Sequence, residues 1–446
     1  MRAGRAILPA LVIATGAALA LARPVPAAAS PNPNTCTGAL PGNFPPTDGG
    51  PLRFGVNPRV QAGQIGPVPA PALAEDRARQ LAALHQLAAD RPFVVRLNRV
   101  FWPEPAGQLE ALDRDIQGYS AAGYLVELQL RYHPSTGPAD PAAFATWAAG
   151  LVHRYDSSSA LVSAQVTNEV NFAVSQDSSD GAFPGARDAL ILGVERVKQQ
   201  AVSDGASQVK VGFNWFYRTD GHTEEGFWGY LGSHGGVAFK EALDWVGLDA
   251  YPGTYFPPVE PGFLPYLPLS TNGYYGGMVN AMSVLHECFM PYGGLAGKAI
   301  YIEETGYPTD LALRTVENQD QALRELVAAA HDYGHRYNVI DFRWFNLRDA
   351  DSSSPNFQQH FGLLNSDYSR KPAFCTYRRV VTGLADCPPA AASGPTPVEA
   401  ATLEPGRGGL PPTSARGAVE SGLAVFAAAV AVILLSARPW ARRDAG

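Results

Sequence analysis

Along the middle of the chain, short runs rich in β-branched and aromatic residues alternate with longer stretches whose apolar positions recur at helical spacing. The runs predict strands over residues 52–56, 93–97, 125–130, 160–166, 208–213, 245–248, 299–302 and 339–345. Between them, residues 75–89 carry Leu81, Leu84 and Leu87 at helical spacing, and 144–155, 186–202, 274–288 and 318–333 follow the same logic. Strand and helix in alternation is the signature of βα units and a parallel sheet. Eight units in order suit a closed barrel better than an open sheet. An open, doubly wound sheet would place a glycine-rich phosphate loop after its first strand, and Gly55-Val56-Asn57-Pro58 is not one. The expected fold class is α/β, a (β/α)8 TIM barrel over residues 51–387. Such a barrel takes roughly 250 residues, more with insertions, and a chain of 446 leaves room for terminal segments. Residues 251–273, rich in Pro, Gly and Tyr, form a long loop after the sixth strand, and long ordered loops in compact domains are usually functional.

The two ends of the chain read differently. Arg2 and Arg5 precede an apolar stretch from Ala6 to Ala22, and Ala27-Ala28-Ala29 supplies small residues for cleavage, which makes 1–29 a secretory signal peptide rather than an N-terminal membrane anchor. Residues 30–50 lead into the barrel. From Pro388 on, Pro, Ala, Gly and Thr dominate, so 388–421 reads as a disordered linker that cannot bury enough apolar surface to fold. The final segment, 422–446, holds an apolar run from Gly422 to Leu435 and then Arg438, Arg442 and Arg443. Basic residues after a hydrophobic segment stay cytoplasmic, and the run is shorter than the ~20 residues that span a bilayer unaided. Just before it stands Leu410-Pro411-Pro412-Thr413-Ser414, which resembles the LPxTG sorting signal of Gram-positive cell-wall proteins, with serine in the place of the glycine. Covalent attachment to the wall and a short membrane tail anchor both remain open. Either places the protein outside the cell, secreted and held at its surface.

Composition narrows the partners. Hydrophobic residues make up 46% of the chain and aromatic ones 10%, enough for a large core. The formal net charge is −7 and the body of the chain has no long basic block, which excludes nucleic acid as an expected partner. No paired Cys-x-x-Cys or His-rich spacing accompanies Cys36, Cys288, Cys375 and Cys387, so neither a metal nor another cofactor is expected. Export permits disulfides. Of the three possible connectivities, sequence proximity favours Cys375–Cys387, with Cys36 then meeting Cys288. A monomer is expected.

Barrel sites are built at the C-terminal strand ends, and the acidic residues found there converge. After the fourth strand comes Val166-Thr167-Asn168-Glu169-Val170-Asn171, and after the seventh Ile302-Glu303-Glu304-Thr305-Gly306-Tyr307-Pro308. With these two motifs at those two strands, the stretch from about Pro51 to Gly383 resembles the clan A glycoside hydrolases, barrels with an Asn-Glu pair on strand four and a Glu on strand seven. The resemblance implies a retaining enzyme that hydrolyses O-glycosidic bonds of poly- or oligosaccharides, with Glu169 as acid/base and Glu304 as nucleophile. It also implies that Asn168 hydrogen-bonds the sugar 2-hydroxyl. The chemistry explains the kit: one carboxylic acid protonates the leaving oxygen while a carboxylate attacks the anomeric carbon, with the two groups ~5–5.5 Å apart. Alternation along strand seven sends one of Glu303 and Glu304 into the barrel mouth and the other toward the helices; the following Thr-Gly favours Glu304.

Weaker signals surround this pair. Clan A enzymes often hold an arginine at the end of strand two, where Arg96 and Arg99 are both candidates. Tyr251, after strand six, matches a tyrosine that hydrogen-bonds the nucleophile, and Trp344, on strand eight, a tryptophan that floors the sugar subsite. Tyr132-His133-Pro134 and Asn214-Trp215, at the ends of strands three and five, are expected to line the cleft, with Trp102, Trp215, Tyr255 and Phe256 as further stacking surfaces. For each aromatic, plain core packing is the competing reading. A catalytically silent glycan-binding barrel and a cell-surface transglycosylase are the alternative functions.

Overall fold

The computed structural model describes residues 49–58, 72–101, 108–134, 139–173, 176, 178–218, 221–255, 273–310 and 314–388. The expected signal peptide, most of the lead-in segment, nearly all of the linker, the sorting-signal-like motif and the anchor lie outside these residues, as do Cys36, Trp102, Phe256 and most of the loop after the sixth strand. No helix among the described residues is long and apolar enough to cross a membrane.

Eight parallel strands close in sequence order into a barrel. They are β1 (Arg53–Val56), β2 (Phe93–Val100), β3 (Leu125–Arg131), β4 (Leu161–Val166), β5 (Lys210–Phe216), β6 (Trp245–Asp249), β7 (Ala299–Thr305) and β8 (Val339–Trp344). Closure is made by β1 on β8, with Arg53 opposite Asp341 and Val56 opposite Trp344. Helices form the outer layer. Four of them, Gln108–Ala121, Gly221–His234, Gly236–Ala242 and Pro372–Thr382, lie beyond the segments whose periodicity was clear. Gly221–His234 shows why: its sequence is broken by glycines, yet it buries Phe227, Trp228 and Leu231.

The strands divide their residues between two environments. Phe54, Phe93 and Phe342 turn outward onto Tyr377 of the last helix, with ring centroids 5.9–6.4 Å apart. The alternate positions turn inward, and here the interior is charged: Arg96, Glu127, Gln129, Gln165, Asn214, Asp249, Glu303 and Arg343 are all buried. Small-residue positions make the space. A Cβ on Gly55 would lie 2.7 Å from Arg343 Cδ, and one on Gly247 would lie 2.9 Å from Glu303 Cγ. Such contacts cannot be accommodated in a close-packed interior without displacement.

One register irregularity bears directly on the site. Leu248 pairs with Ile302 but Asp249 pairs with Glu304, so β7 carries an extra residue at this point. A bulge of this kind re-aims a side chain. Simple alternation predicted one glutamate in the mouth and one among the helices; instead Glu303 and Glu304 both face Arg96 inside the barrel, at 3.5 and 2.6 Å. Cys375 and Cys387 are bridged, with Cα atoms 5.4 Å apart, and Cys288 is also disulfide-bonded.

Candidate active site

At the C-terminal mouth, the chain just after β4 has two residues with left-handed backbone, Thr167 at φ 66° and Glu169 at φ 46°. Non-glycine residues adopt this conformation at a cost of about 1–3 kcal/mol each, and persist there when surrounding contacts over-determine them. Those contacts are present. The Asn168 N–H donates to Asp180 Oδ2 at 2.8 Å, and the Glu169 N–H donates to Asn214 Oδ1 at 2.9 Å. Asn168 Oδ1 accepts from Gln129 Nε2 at 2.6 Å and Asn214 Nδ2 at 2.7 Å, while its own Nδ2 donates to Ser178 O at 2.9 Å. The Ser178 bond uses one of the two Nδ2 hydrogens of Asn168.

Asp180 is the hub of this corner. Its carboxylate accepts from the backbone N–H of Tyr132 at 2.7 Å and from Arg131 Nε at 3.1 Å, and lies 3.1 Å from His133 Nε2. The ends of β3 and β4 are thus tied to one buried charge. His133, packed 4.7 Å from the Phe183 ring, meets the site through Asp180.

Across the mouth, β7 presents Glu304, whose two oxygens have separate donors. Arg96 NH1 donates to Oε1 at 2.6 Å and the Tyr251 hydroxyl to Oε2 at 2.8 Å. Arg99, one step out of phase with Arg96 on β2, pairs in register with the outward-facing Leu130; of the two arginines, Arg96 is the one on the carboxylate. One carboxyl oxygen from each of Glu169, Asp249 and Glu304 lies within 4.8 Å of the other two. Three acids this close could attract a cation, but the Arg96 guanidinium already supplies positive charge. Asp249 accepts from Asn214 Nδ2 and so props the residue that holds Glu169.

The electrostatics separate the acids. Burial pushes the Glu169 carboxyl well above its ordinary value, Glu304 and Asp180 add to the rise, and Arg131 and Arg96 oppose it. Burial likewise raises Asp249, with Glu304 and Glu169 adding to it. A carboxyl held well above its ordinary value thus stands beside one that accepts two hydrogen bonds, an arrangement that acid–base chemistry can use.

Two expected cleft residues are elsewhere. Because Asn214 faces inward, Trp215 must face out: it is 0% exposed, donates from Nε1 to Glu224, and packs 5.8 Å from Trp228 and 5.2 Å from Phe289. It is a core residue between barrel and helices, not a cleft wall. Trp344 is also 0% exposed, and its Nε1 donates to Phe361 O at 3.3 Å. The next residue, Phe345, is the partly exposed aromatic at the end of β8, 6.3 Å from the Tyr251 ring. Tyr255 is also partly exposed and lies 5.4 Å from Tyr251.

With the barrel and its acidic mouth in place, comparison with known proteins gives the following similarities. No protein-family model matches the chain. A curated protein of Emericella nidulans, the probable glucan endo-1,3-beta-glucosidase eglC, is 27% identical over 192 residues, 42% of this chain and 34% of its own length. The match thus spans about a third of that relative. Among solved structures, an active-site mutant of Rhizomucor miehei beta-1,3-glucanosyltransferase in complex with laminaritriose is similar at a TM-score of 0.43 and 17% identity, covering 72% of this chain and 96% of that one. A family 1 β-glucosidase from Thermotoga maritima is similar at a TM-score of 0.48 and 14% identity, covering 69% and 86%.

Proposed function

We propose that the protein is a retaining glycoside hydrolase with Glu169 as acid/base and Glu304 as nucleophile, acting on a β-1,3-linked glucan. The observation that supports the mechanism is the carboxyl spacing: one oxygen of Glu169 lies within 4.8 Å of one oxygen of Glu304, nearer than the ~6.5–9.5 Å between the carboxyls of an inverting pair. The substrate class rests on the Emericella relative, named for endo-1,3-beta-glucosidase activity.

The cycle runs in two displacements. Glu304 attacks the anomeric carbon as the glycosidic C–O bond breaks, and Glu169 gives its proton to the leaving oxygen. The result is a glycosyl ester on Glu304 and an ionised Glu169. Esterification removes the Glu304 charge, one of the causes that raise Glu169, so Glu169 becomes the base for the second step. It takes a proton from water as that water attacks the anomeric carbon, the ester bond breaks, and the sugar leaves with its original configuration. The Cys375–Cys387 bridge, the disulfide-bonded Cys288 and the apolar stretch at residues 6–22 support an extracellular setting. Anchoring through residues 410–446 is part of the same reading.

The test is activity on laminari-oligosaccharides with product analysis by mass spectrometry. Shorter glucans from the wild type, and none from Glu304→Ala, are the expected result. Products longer than the substrate would make transglycosylation the reaction, and binding without turnover would make the barrel a glycan-binding module.

A further inference from the structure

Beneath Glu304 the barrel holds a second acidic pair that the two-step mechanism does not use. Glu127 on β3 and Glu303 on β7 are fully buried and lie between two guanidiniums. Arg96 Nε is 3.4 Å from Glu127 Oε1 and 3.5 Å from Glu303 Oε2; Arg343 NH2 is 3.5 Å from Glu127 Oε2. These are long for charged hydrogen bonds. The closer contacts of Arg96 go upward, to Glu304 and to Gln165. In consequence Glu127 Oε1 and both Glu303 oxygens have no hydrogen-bond donor among the described residues. A buried carboxylate with no donor is costly, and a proton between two facing carboxyls supplies one.

Charge balance makes the same demand. Arg53, Arg96 and Arg343 face the inner layer, with Arg53 at 2.7 Å and Arg343 at 2.8 Å from Asp341. Against these three guanidiniums stand six carboxyls: Asp341, Glu127, Glu303, Glu304, Asp249 and Glu169. Three carboxyls are left without a countercharge. Two of those are Glu169, the acid, and Asp249, and the third must come from the lower pair.

We propose that Glu127 and Glu303 share a single proton, and that this pair is a positioning device that fixes Arg96 against Glu304. With one net negative charge the pair steadies the Arg96 stem from below while leaving NH1 free for Glu304. Two negative charges would pull the guanidinium down. The bulge that turns Glu303 inward and the open space at Gly247 are what admit the second carboxyl. The directions of titration agree: burial and Glu127 push Glu303 well above its ordinary value, whereas for Glu127 burial is outweighed by Arg343, by the hydrogen bond with Glu303 and by Arg96, which hold it below.

Glu303→Gln and Glu127→Gln test this, since an amide donates as the protonated acid does. The expected results are folded single variants, each lacking one protonated-carboxyl band in the infrared spectrum at neutral pH. The acid limb of kcat/KM stays in place in each single variant. It moves to lower pH by about one unit in the double variant, where Arg96 faces Glu304 without a competing charge. The idea is overturned if neither single variant folds, if their protonated-carboxyl bands match the wild type, or if one single variant moves the acid limb as far as the double. The positioning part rests on Glu304 as nucleophile. The infrared reading needs no substrate, so the two ideas fail separately.

Discussion

Asp180→Asn is the substitution whose consequences can be worked furthest, because one buried carboxylate serves four partners at once. Its oxygens accept from the Tyr132 and Asn168 N–H groups at 2.7 and 2.8 Å, from Arg131, and lie 3.1 Å from His133. Asparagine keeps the shape but brings two N–H donors to a position that is surrounded by donors. One or two of these partners lose their acceptor, and the Arg131 guanidinium loses its 3.0 Å counterion. Removing one member of a buried pair costs about 3–5 kcal/mol. At roughly 2 °C per kcal/mol for a domain of this size, the melting temperature should fall by about 6–10 °C. A second effect separates charge from mere loosening. Asp180 is one of the causes that raise Glu169, and Arg131 one that lowers it. Losing the Asp180 charge leaves Arg131 unopposed, so the Glu169 carboxyl gives up its proton at lower pH. A general acid works only while protonated, and the alkaline limb of kcat/KM should therefore move to lower pH. The assays are differential scanning fluorimetry and kcat/KM across pH on an aryl glycoside. Wild-type melting together with an unmoved alkaline limb would refute the placement of Asp180 at the centre of this corner.

Three further outcomes follow from the same contacts. Tyr251→Phe removes a hydrogen bond to a charged oxygen of Glu304, worth about 1.5–3 kcal/mol, so kcat/KM should fall roughly 10- to 150-fold while the melting temperature changes little; an unchanged kcat/KM would place the hydroxyl outside the chemistry. Trp215→Phe should cost stability by about 1–3 kcal/mol, through lost packing and a lost donor to Glu224, and leave KM untouched; a raised KM would return Trp215 to the cleft. Glu169, Asp249 and Glu303 all titrate above their ordinary values of 4.5, 3.8 and 4.5. Their contribution to stability is complete below those values and is lost as pH rises through the raised ones, so the melting temperature should decline toward alkaline pH. The decline should be shallower in Asp249→Asn, and an identical slope would contradict a protonated Asp249.

The barrel was legible because its signal is periodic: eight β-rich runs separated by helical stretches leave few other topologies. The inner charges were also written in the pattern. Glu127-Leu128-Gln129-Leu130-Arg131 alternates cleanly, but the same alternation describes a strand with one face in water, and only closure of the sheet shows that the polar face is the inside. The displacements of Trp215 and Trp344 have the same origin, since each sits one position from an inward residue and composition cannot tell which neighbour faces the mouth. Glu303 escaped alternation because a bulge adds a residue to β7, and nothing in Ile302-Glu303-Glu304-Thr305 marks it. Asp180 was invisible for another reason. It lies eleven positions beyond Glu169 in a loop without period, and its importance comes from donors at the ends of β3 and β4 that only folding brings to it.

Proton NMR of the first-formed product most directly decides whether Glu169 and Glu304 act on one sugar ring from opposite sides. With laminari-oligosaccharide as substrate, the β-anomer should appear first and mutarotate afterwards. Initial release of the α-anomer would mean that water attacks directly, and the double-displacement roles of both glutamates would be wrong.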